Sequence, residues 1–242
     1  MTNENTPQNK KNLLTLPSAI VLAGFLIAIA IFASNSSGPK TSTNPDPEQA
    51  FLENIINEKN TVEVAPITER DHIIGSPDAK IVIFEYSDTE CPFCKRFHGT
   101  LQQVVEKYGE DVAWVYRHFP IESLHAKAAK EAEATECAWE QGGNDMFWKY
   151  IDEVYRITPS NDGLESKMLY TIAEDIGLDK AAFTECLDTG RYASYVEENR
   201  KEGENAGAKG TPYNVLVVKG KTYPVSGALP LDMMEQLIDK LM

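Results

Sequence analysis

Two cysteines separated by two residues carry the clearest chemical signal in the chain. Cys91 and Cys94 enclose Pro92 and Phe93, directly after the apolar run Lys80–Tyr86. A thiol at the start of a helix meets unpaired N–H groups and the positive end of the helix dipole, and both stabilise a thiolate. Because the thiolate is the nucleophile, this pattern predicts a reactive Cys91. Cys94, one turn further on, would close or resolve a disulfide.

Two further features favour redox chemistry at this pair. Glu85 lies inside the apolar strand, where a carboxylate is costly unless it has a partner or a task. We expect it beneath the disulfide, exchanging a proton with Cys94; an outward-facing residue or a buried ion pair is the alternative. Pro212 follows Thr211 at the start of a later strand. We expect a cis proline that faces the disulfide, with the backbone of Thr211 free to pair with a peptide.

Hydrophobic periodicity predicts the elements that position these residues. The order is strand, helix, strand, a helical block, and then two strands and a helix. This order predicts an α/β fold whose first unit has parallel pairing. The helical block, about 121–206, is too long for a loop and predicts an inserted all-helical domain. The predicted strands are 62–67, 80–86, 111–118, 213–218 and 222–225, and the predicted helices are 48–60, 92–108, 124–140, 145–156, 165–176, 180–187, 192–206 and 229–242.

An apolar run near the N-terminus predicts export. Leu13–Ala33 contains 21 residues, enough to span a bilayer, and two lysines precede it. We expect residues 1–12 in the cytoplasm, a transmembrane anchor at 13–33, and the remainder outside the cytoplasm at the cell membrane. A cleaved signal peptide is the alternative and leads to the same compartment. Residues 34–61 are expected to form a flexible tether and a short helix before a catalytic domain at 62–242.

Composition narrows the classes of partner and cofactor. Hydrophobic residues make up 42% and charged residues 25% of the chain, as in a globular protein with its own core. The net charge of −14 argues against nucleic acid as the main partner. The spacing of Cys91, Cys94 and His98 fits half of a zinc site, but the other histidines show no matching cluster. We therefore expect no metal and no cofactor beyond a redox-active disulfide; a zinc or copper module is a distant alternative.

These residues resemble the DsbA-like branch of the thioredoxin superfamily. The likeness covers about residues 71–242 and is carried by IVIFEYSDTECPFCKRFH, by the helical block that begins near His125, and by GTPYNVLV. It implies a thioredoxin fold with an inserted helical domain. It also implies an exported thiol–disulfide oxidoreductase that introduces disulfide bonds into unfolded or reduced exported proteins. Re-oxidation by a quinone-linked membrane oxidase is implied as well.

The resemblance also implies roles for individual residues. The roles are Cys91 as nucleophile, Cys94 as buried resolving cysteine, Glu85 as buried acid, and Thr211 with Pro212 as the cis-proline loop. The strongest oxidants of the family carry a histidine between the two cysteines, where this chain has Phe93. A threonine before the proline, as at Thr211, resembles the isomerase and reductase members. An isomerase or reductase is therefore the alternative activity. We expect no separate dimerisation domain and a monomeric catalytic domain, which disfavours an isomerase.

The two remaining cysteines, Cys137 and Cys186, both fall in the helical block. Leftover cysteines in an oxidising compartment usually pair, and similar family members carry a pair in this block. We expect a structural disulfide that closes a loop of about 50 residues and contributes about 4 kcal/mol of stability. Two buried free thiols or a second redox pair are the alternatives.

Overall fold

A mixed five-stranded sheet lies at the centre of the computed structural model, which describes residues 46–57 and 61–242. The strands are β1 (His72–Ile74), β2 (Ile81–Ser87), β3 (Val112–His118), β4 (Tyr213–Val218) and β5 (Lys221–Ser226). Their order across the sheet is β1-β3-β2-β4-β5. β2 pairs parallel with β3 and antiparallel with β4, so the strand that leads into the cysteines occupies the middle of the sheet.

Seven α-helices surround the sheet within the described ranges. They are α1 (Pro47–Asn57), α2 (Pro92–Tyr108), α3 (Ala128–Ile157), α4 (Lys167–Asp175), α5 (Lys180–Asp188), α6 (Ala193–Asn205) and α7 (Leu231–Leu241). Four of them, α3 to α6, lie between β3 and β4, where the sequence predicts a helical insertion. The predicted helices 124–140 and 145–156 are joined in α3, which kinks at Gly142 and Gly143. Gly143 has φ 65°, a conformation that glycine adopts without a Cβ penalty.

Burial on both faces explains the continuous apolar run of β2. Ile81 and Ile83 pack into a cluster that includes side chains of α2 and α7. Val82 and Phe84 point to the opposite face and join a second cluster with β3 and β4. Because side chains alternate along a strand, a sheet covered on both faces needs apolar residues at successive positions. A third cluster forms the core of the helical insertion.

The predicted strand at 62–67 is wrong. The N–H of Val62 donates to Oγ1 of Thr222 at 3.2 Å, and the N–H of Ala65 donates to Oε1 of Glu202 at 2.9 Å. These backbone groups are satisfied by side chains, so this segment forms no ladder. The first strand begins ten residues later at β1 and pairs antiparallel with β3.

The N-terminal predictions fall mostly on residues outside the described ranges. The cytoplasmic segment 1–12, the anchor 13–33 and most of the tether belong to that part of the chain. The short helix predicted before the domain is α1, which buries Leu52 and Ile55. No helix within residues 46–57 and 61–242 is long and apolar enough to cross a membrane.

Candidate active site

The first turn of α2 presents Cys91 at the end of the central strand. Cys91 occupies the N-cap position with an extended backbone, and its carbonyl accepts the N–H of Lys95 at 3.0 Å. Pro92 is the first helical residue, where a missing N–H costs no hydrogen bond. The N–H of Cys91 donates to the carbonyl of Asp88 at 3.1 Å, which fixes the loop that joins β2 to α2.

The segment that precedes β4 lies directly beside Cys91. Both cysteines of the motif are free thiols in this structure, and Cys94 is fully buried. The thiol of Cys91 donates to the carbonyl oxygen of Thr211 at 3.4 Å, and the peptide bond between Thr211 and Pro212 is cis. The pairing of β4 with β2 brings these residues together across about 120 positions of sequence.

The two thiols have opposite proton affinities. The hydrogen bond from the thiol of Cys94 is the largest cause that lowers the pKa of Cys91 to about 6, and Thr211 and nearby backbone N–H groups add to it, against the effect of burial. Burial raises the pKa of Cys94 well above its usual range, and the charges of Cys91 and Glu85 act in the same direction. At pH 7 Cys91 is therefore about nine-tenths thiolate while Cys94 keeps its proton.

Glu85 lies on the face of the sheet that α2 covers. Strand alternation places it on the same side as Ile81 and Ile83, and its carboxyl is fully buried. Oγ of Ser87 donates to Oε1 at 2.8 Å, and Nε1 of Trp114 donates to Oε2 at 3.0 Å. Burial raises the pKa of Glu85 to about 8, although these two hydrogen bonds act against it. The carboxyl is thus largely protonated at pH 7 and is hydrogen-bonded to neutral groups.

A buried hydrogen bond between a histidine and an aspartate beside Cys91 was not predicted from the sequence. Oδ2 of Asp88 accepts Nδ1 of His125 at 2.9 Å and the N–H of Ile121 at 2.8 Å. The two residues of the pair are 37 positions apart, and no local spacing signals their contact. His125 and Cys91 line one cavity of about 650 Å³. Other side chains of this cavity are Phe93, Leu124, Asn161, Lys209 and Thr211.

The second pair of cysteines lies away from this cavity, in the core of the insertion. The structure joins Cys137 of α3 to Cys186 of α5 by a disulfide, with 5.9 Å between the Cα atoms. Both residues belong to the apolar cluster of the helical insertion. The disulfide therefore connects two helices inside a hydrophobic core.

A buried cluster of two histidines and a glutamate also joins distant segments. Among residues 46–57 and 61–242, His72, His118 and Glu136 form the one group of three potential metal ligands, and it includes neither cysteine of the motif. Oε1 of Glu136 lies 2.6 Å from Nε2 of His72 and 2.8 Å from Nε2 of His118. Burial alone would raise the pKa of Glu136, but the histidines outweigh it and lower that pKa to about 2. The cluster ties β1 and β3 to α3.

Comparisons with known proteins agree with this architecture. The family model described as thioredoxin matches residues 67–240. The crystal structure of DsbA2 from Pseudomonas aeruginosa is similar with a TM-score of 0.60 at 27% identity, covering 74% of this chain and 97% of that one. BdbD from Bacillus subtilis gives a TM-score of 0.63 at 20% identity, covering 75% of this chain and 97% of that one.

A longer protein shares part of this sequence. The Na(+)/H(+) antiporter NhaA 1 of Mycolicibacterium gilvum is 34% identical over 157 residues, which are 64% of this chain and 24% of the antiporter. The chain thus spans about a quarter of the length of the curated relatives that it matches. The name Na(+)/H(+) antiporter refers to that longer protein as a whole.

The family model and the structural matches identify a DsbA-like protein of the thioredoxin superfamily. This class agrees with the order of strands and helices around the sheet. The chain belongs to the thioredoxin family, whose model covers residues 67–240. The predicted thioredoxin-like α/β fold is confirmed.

Proposed function

We propose that this protein is a membrane-anchored, extracytoplasmic dithiol oxidase that introduces disulfide bonds into exported proteins through Cys91 and Cys94. One observation supports it above the others: the two thiols share a site but differ in ionisation. The pKa of Cys91 is lowered to about 6, and that of Cys94 is raised well above its usual range. A pair with this asymmetry offers one stable leaving thiolate and one protonated partner.

The first step of the reaction reduces the enzyme disulfide. A thiolate of the substrate attacks the sulfur of Cys91, the bond between Cys91 and Cys94 breaks, and its electron pair goes to Cys94. Glu85, which is largely protonated, supplies the proton that Cys94 needs in its buried position. The products of this step are a mixed disulfide between Cys91 and the substrate, and a neutral Cys94 thiol.

The second step releases the oxidised substrate. A second substrate thiolate attacks the substrate sulfur of the mixed disulfide, and Cys91 leaves as a thiolate. The substrate loses two electrons and two protons overall. The enzyme disulfide gains the two electrons, one proton ends on Cys94 by way of Glu85, and the other is released to water because Cys91 stays a thiolate. The carbonyl of Thr211, 3.4 Å from the sulfur of Cys91, borders the place where an extended substrate segment would pair with the backbone.

The proposed setting follows from the N-terminal sequence and the resemblance. Leu13–Ala33 would anchor the chain in the cell membrane, with the catalytic domain, monomeric, on the outer face. Reduced or unfolded exported proteins would be the substrates, and a quinone-linked membrane oxidase would restore the disulfide. No cofactor besides that disulfide enters the proposed reaction.

The reduction potential of the Cys91–Cys94 pair tests the direction of electron flow. The full-length protein is equilibrated against glutathione, and the reduced fraction is measured by alkylation of the free thiols. We expect a potential of about −120 to −150 mV, as in strongly oxidising members of this chemistry. A potential of about −250 mV or lower would contradict the oxidase and favour a reductase that receives electrons from a membrane donor.

A further inference from the structure

We propose that His125 supplies the positive charge that stabilises the Cys91 thiolate, and so acts as an auxiliary residue of disulfide exchange. The inference rests on the proposed role of Cys91 as the reactive thiolate. His125 belongs to the segment between β3 and α3, at the entrance to the helical insertion. It lies outside the Cys-x-x-Cys motif and reaches the active site only through the fold.

Asp88 positions both partners of the proposed interaction. Its backbone carbonyl accepts the N–H of Cys91 at 3.1 Å, and its carboxylate accepts Nδ1 of His125 at 2.9 Å. The same carboxylate accepts the N–H of Ile121, and the N–H of His125 donates to the carbonyl of Ile121 at 2.9 Å. The imidazole is therefore held by the loop that carries Cys91, and both side chains line the cavity of about 650 Å³.

The groups around His125 favour its charged form. Burial lowers the pKa of His125, but the hydrogen bond to Asp88 and the negative charges of Asp88, Cys91 and Asp162 outweigh it, and the pKa is raised above its usual range. These three groups come from the loop after β2, the start of α2 and the loop after α3. Nδ1 is bound to Asp88, and Nε2 has no hydrogen-bond partner among the residues that the structure describes. The imidazolium thus keeps one N–H available at the cavity.

The two cations that follow Cys94 on α2 are directed elsewhere, whereas Lys209 also lines the cavity. Nζ of Lys95 donates to the carbonyl of Thr158 at 2.5 Å, and the guanidinium of Arg96 lies over the ring of Phe93 at 5.3 Å. Phe93 itself adds no charge. His125 also neutralises Asp88, whose carboxylate would otherwise repel a thiolate at Cys91.

The proposed effect acts on the bond that breaks last. When the mixed disulfide is resolved, the electron pair of the bond between Cys91 and the substrate goes to the sulfur of Cys91. A nearby imidazolium stabilises that negative charge without giving up its proton, so the leaving group improves and no further reactant is needed.

Replacement of His125 by Asn tests this. An Asn side chain can keep an N–H donor for Asp88 and removes the charge. In the reduced full-length protein, the thiolate at Cys91 is titrated by its ultraviolet absorbance and by its alkylation rate as a function of pH. We expect His125→Asn to raise the pKa of Cys91 by about one pH unit, the size expected for one charge several ångströms away in partly solvated surroundings. The equilibrium constant for reduction of the enzyme disulfide by glutathione at pH 7 should then fall about fivefold.

A matched control separates charge from packing. His98 is a buried histidine that contacts an exposed aspartate, Asp152, at 2.6 Å, and it does not line the Cys91 cavity. His98→Asn should leave the Cys91 titration unchanged. The inference is overturned if His125→Asn titrates like the wild type, or if His98→Asn raises the pKa of Cys91 equally. A wild-type Cys91 that ionises at about pH 8.5 would instead refute the proposed function together with this inference.

A measurement on the unmodified protein guards against a variant that fails to fold. The ring protons of His125 are followed by NMR as a function of pH in the reduced and the oxidised protein. The thiolate exists only in the reduced form, so the pKa of His125 should be higher there. Equal values in the two forms would refute the interaction.

Discussion

Replacing Glu85 by Gln is expected to change how the stability of the protein depends on pH. Burial raises the pKa of Glu85 from 4.5 to about 8 in the folded protein. Between these values the folded state keeps a proton that the unfolded state has released, so the stability of the wild type falls as pH rises. Each pH unit corresponds to about 1.4 kcal/mol, and the whole interval to about 4 to 5 kcal/mol. A Gln side chain does not titrate and abolishes this dependence.

Urea unfolding of the reduced protein at several pH values measures the effect. Relative to Glu85→Gln, the wild type should lose about 3 kcal/mol of unfolding free energy between about pH 5 and pH 7. The substitution also changes the hydrogen bonds to Ser87 and Trp114, which adds a difference in unfolding free energy that does not vary with pH. Glu198→Gln, which removes an exposed carboxyl on α6, controls for the loss of one negative charge. If the difference in unfolding free energy between the wild type and Glu85→Gln were the same at every pH, Glu85 would be an ordinary carboxylate. It could then not be the proposed proton donor to Cys94.

The remaining predictions concern the four cysteines. Cys94→Ala should accumulate mixed disulfides with substrate proteins on non-reducing gels, because its Cys91 thiolate can attack a substrate disulfide while no Cys94 remains to attack the bond between Cys91 and the substrate. Cys91→Ala should accumulate none, and trapping by this variant would reverse the proposed roles. Replacing both Cys137 and Cys186 by Ala should lower the unfolding free energy by about 4 kcal/mol, since their separation is 49 residues. The same double variant should keep the alkylation rate of Cys91, and a large loss of that rate would indicate a redox role for the second pair.

Elements with strong local signals were predicted closely from the sequence. The helix predicted at 92–108 is α2 (Pro92–Tyr108), because a proline marks its first turn and apolar residues recur with helical spacing. The two apolar strands on either side of it are β2 and β3. The helical insertion was also found, since its length excludes a loop. All these signals lie within the element that they define.

Features that depend on distant partners could not be predicted in this way. The segment 62–67 alternates like a strand, but its backbone groups bond to side chains of other segments. His125 meets Asp88 across 37 residues, and Glu136 meets His72 across 64. The contacts of His125 and Glu136 depend on the packing of the insertion against the sheet. No periodicity within either partner's own segment carries that information.

The different environments of the two cysteines bear on the direction of electron flow. The pKa of Cys91 falls from 9.0 to about 6. At pH 7, only the part of this shift that lies between about pH 6 and pH 7 stabilises the reduced enzyme. That interval favours the reduced form about tenfold, which corresponds to about 30 mV of additional oxidising power. Glu85 keeps its proton over the same range, so Cys94 can be protonated as soon as the disulfide opens. A stable thiolate that lines the cavity and a neutral thiol beneath it both stabilise the dithiol relative to the disulfide. This asymmetry supports an enzyme that accepts electrons from its substrates.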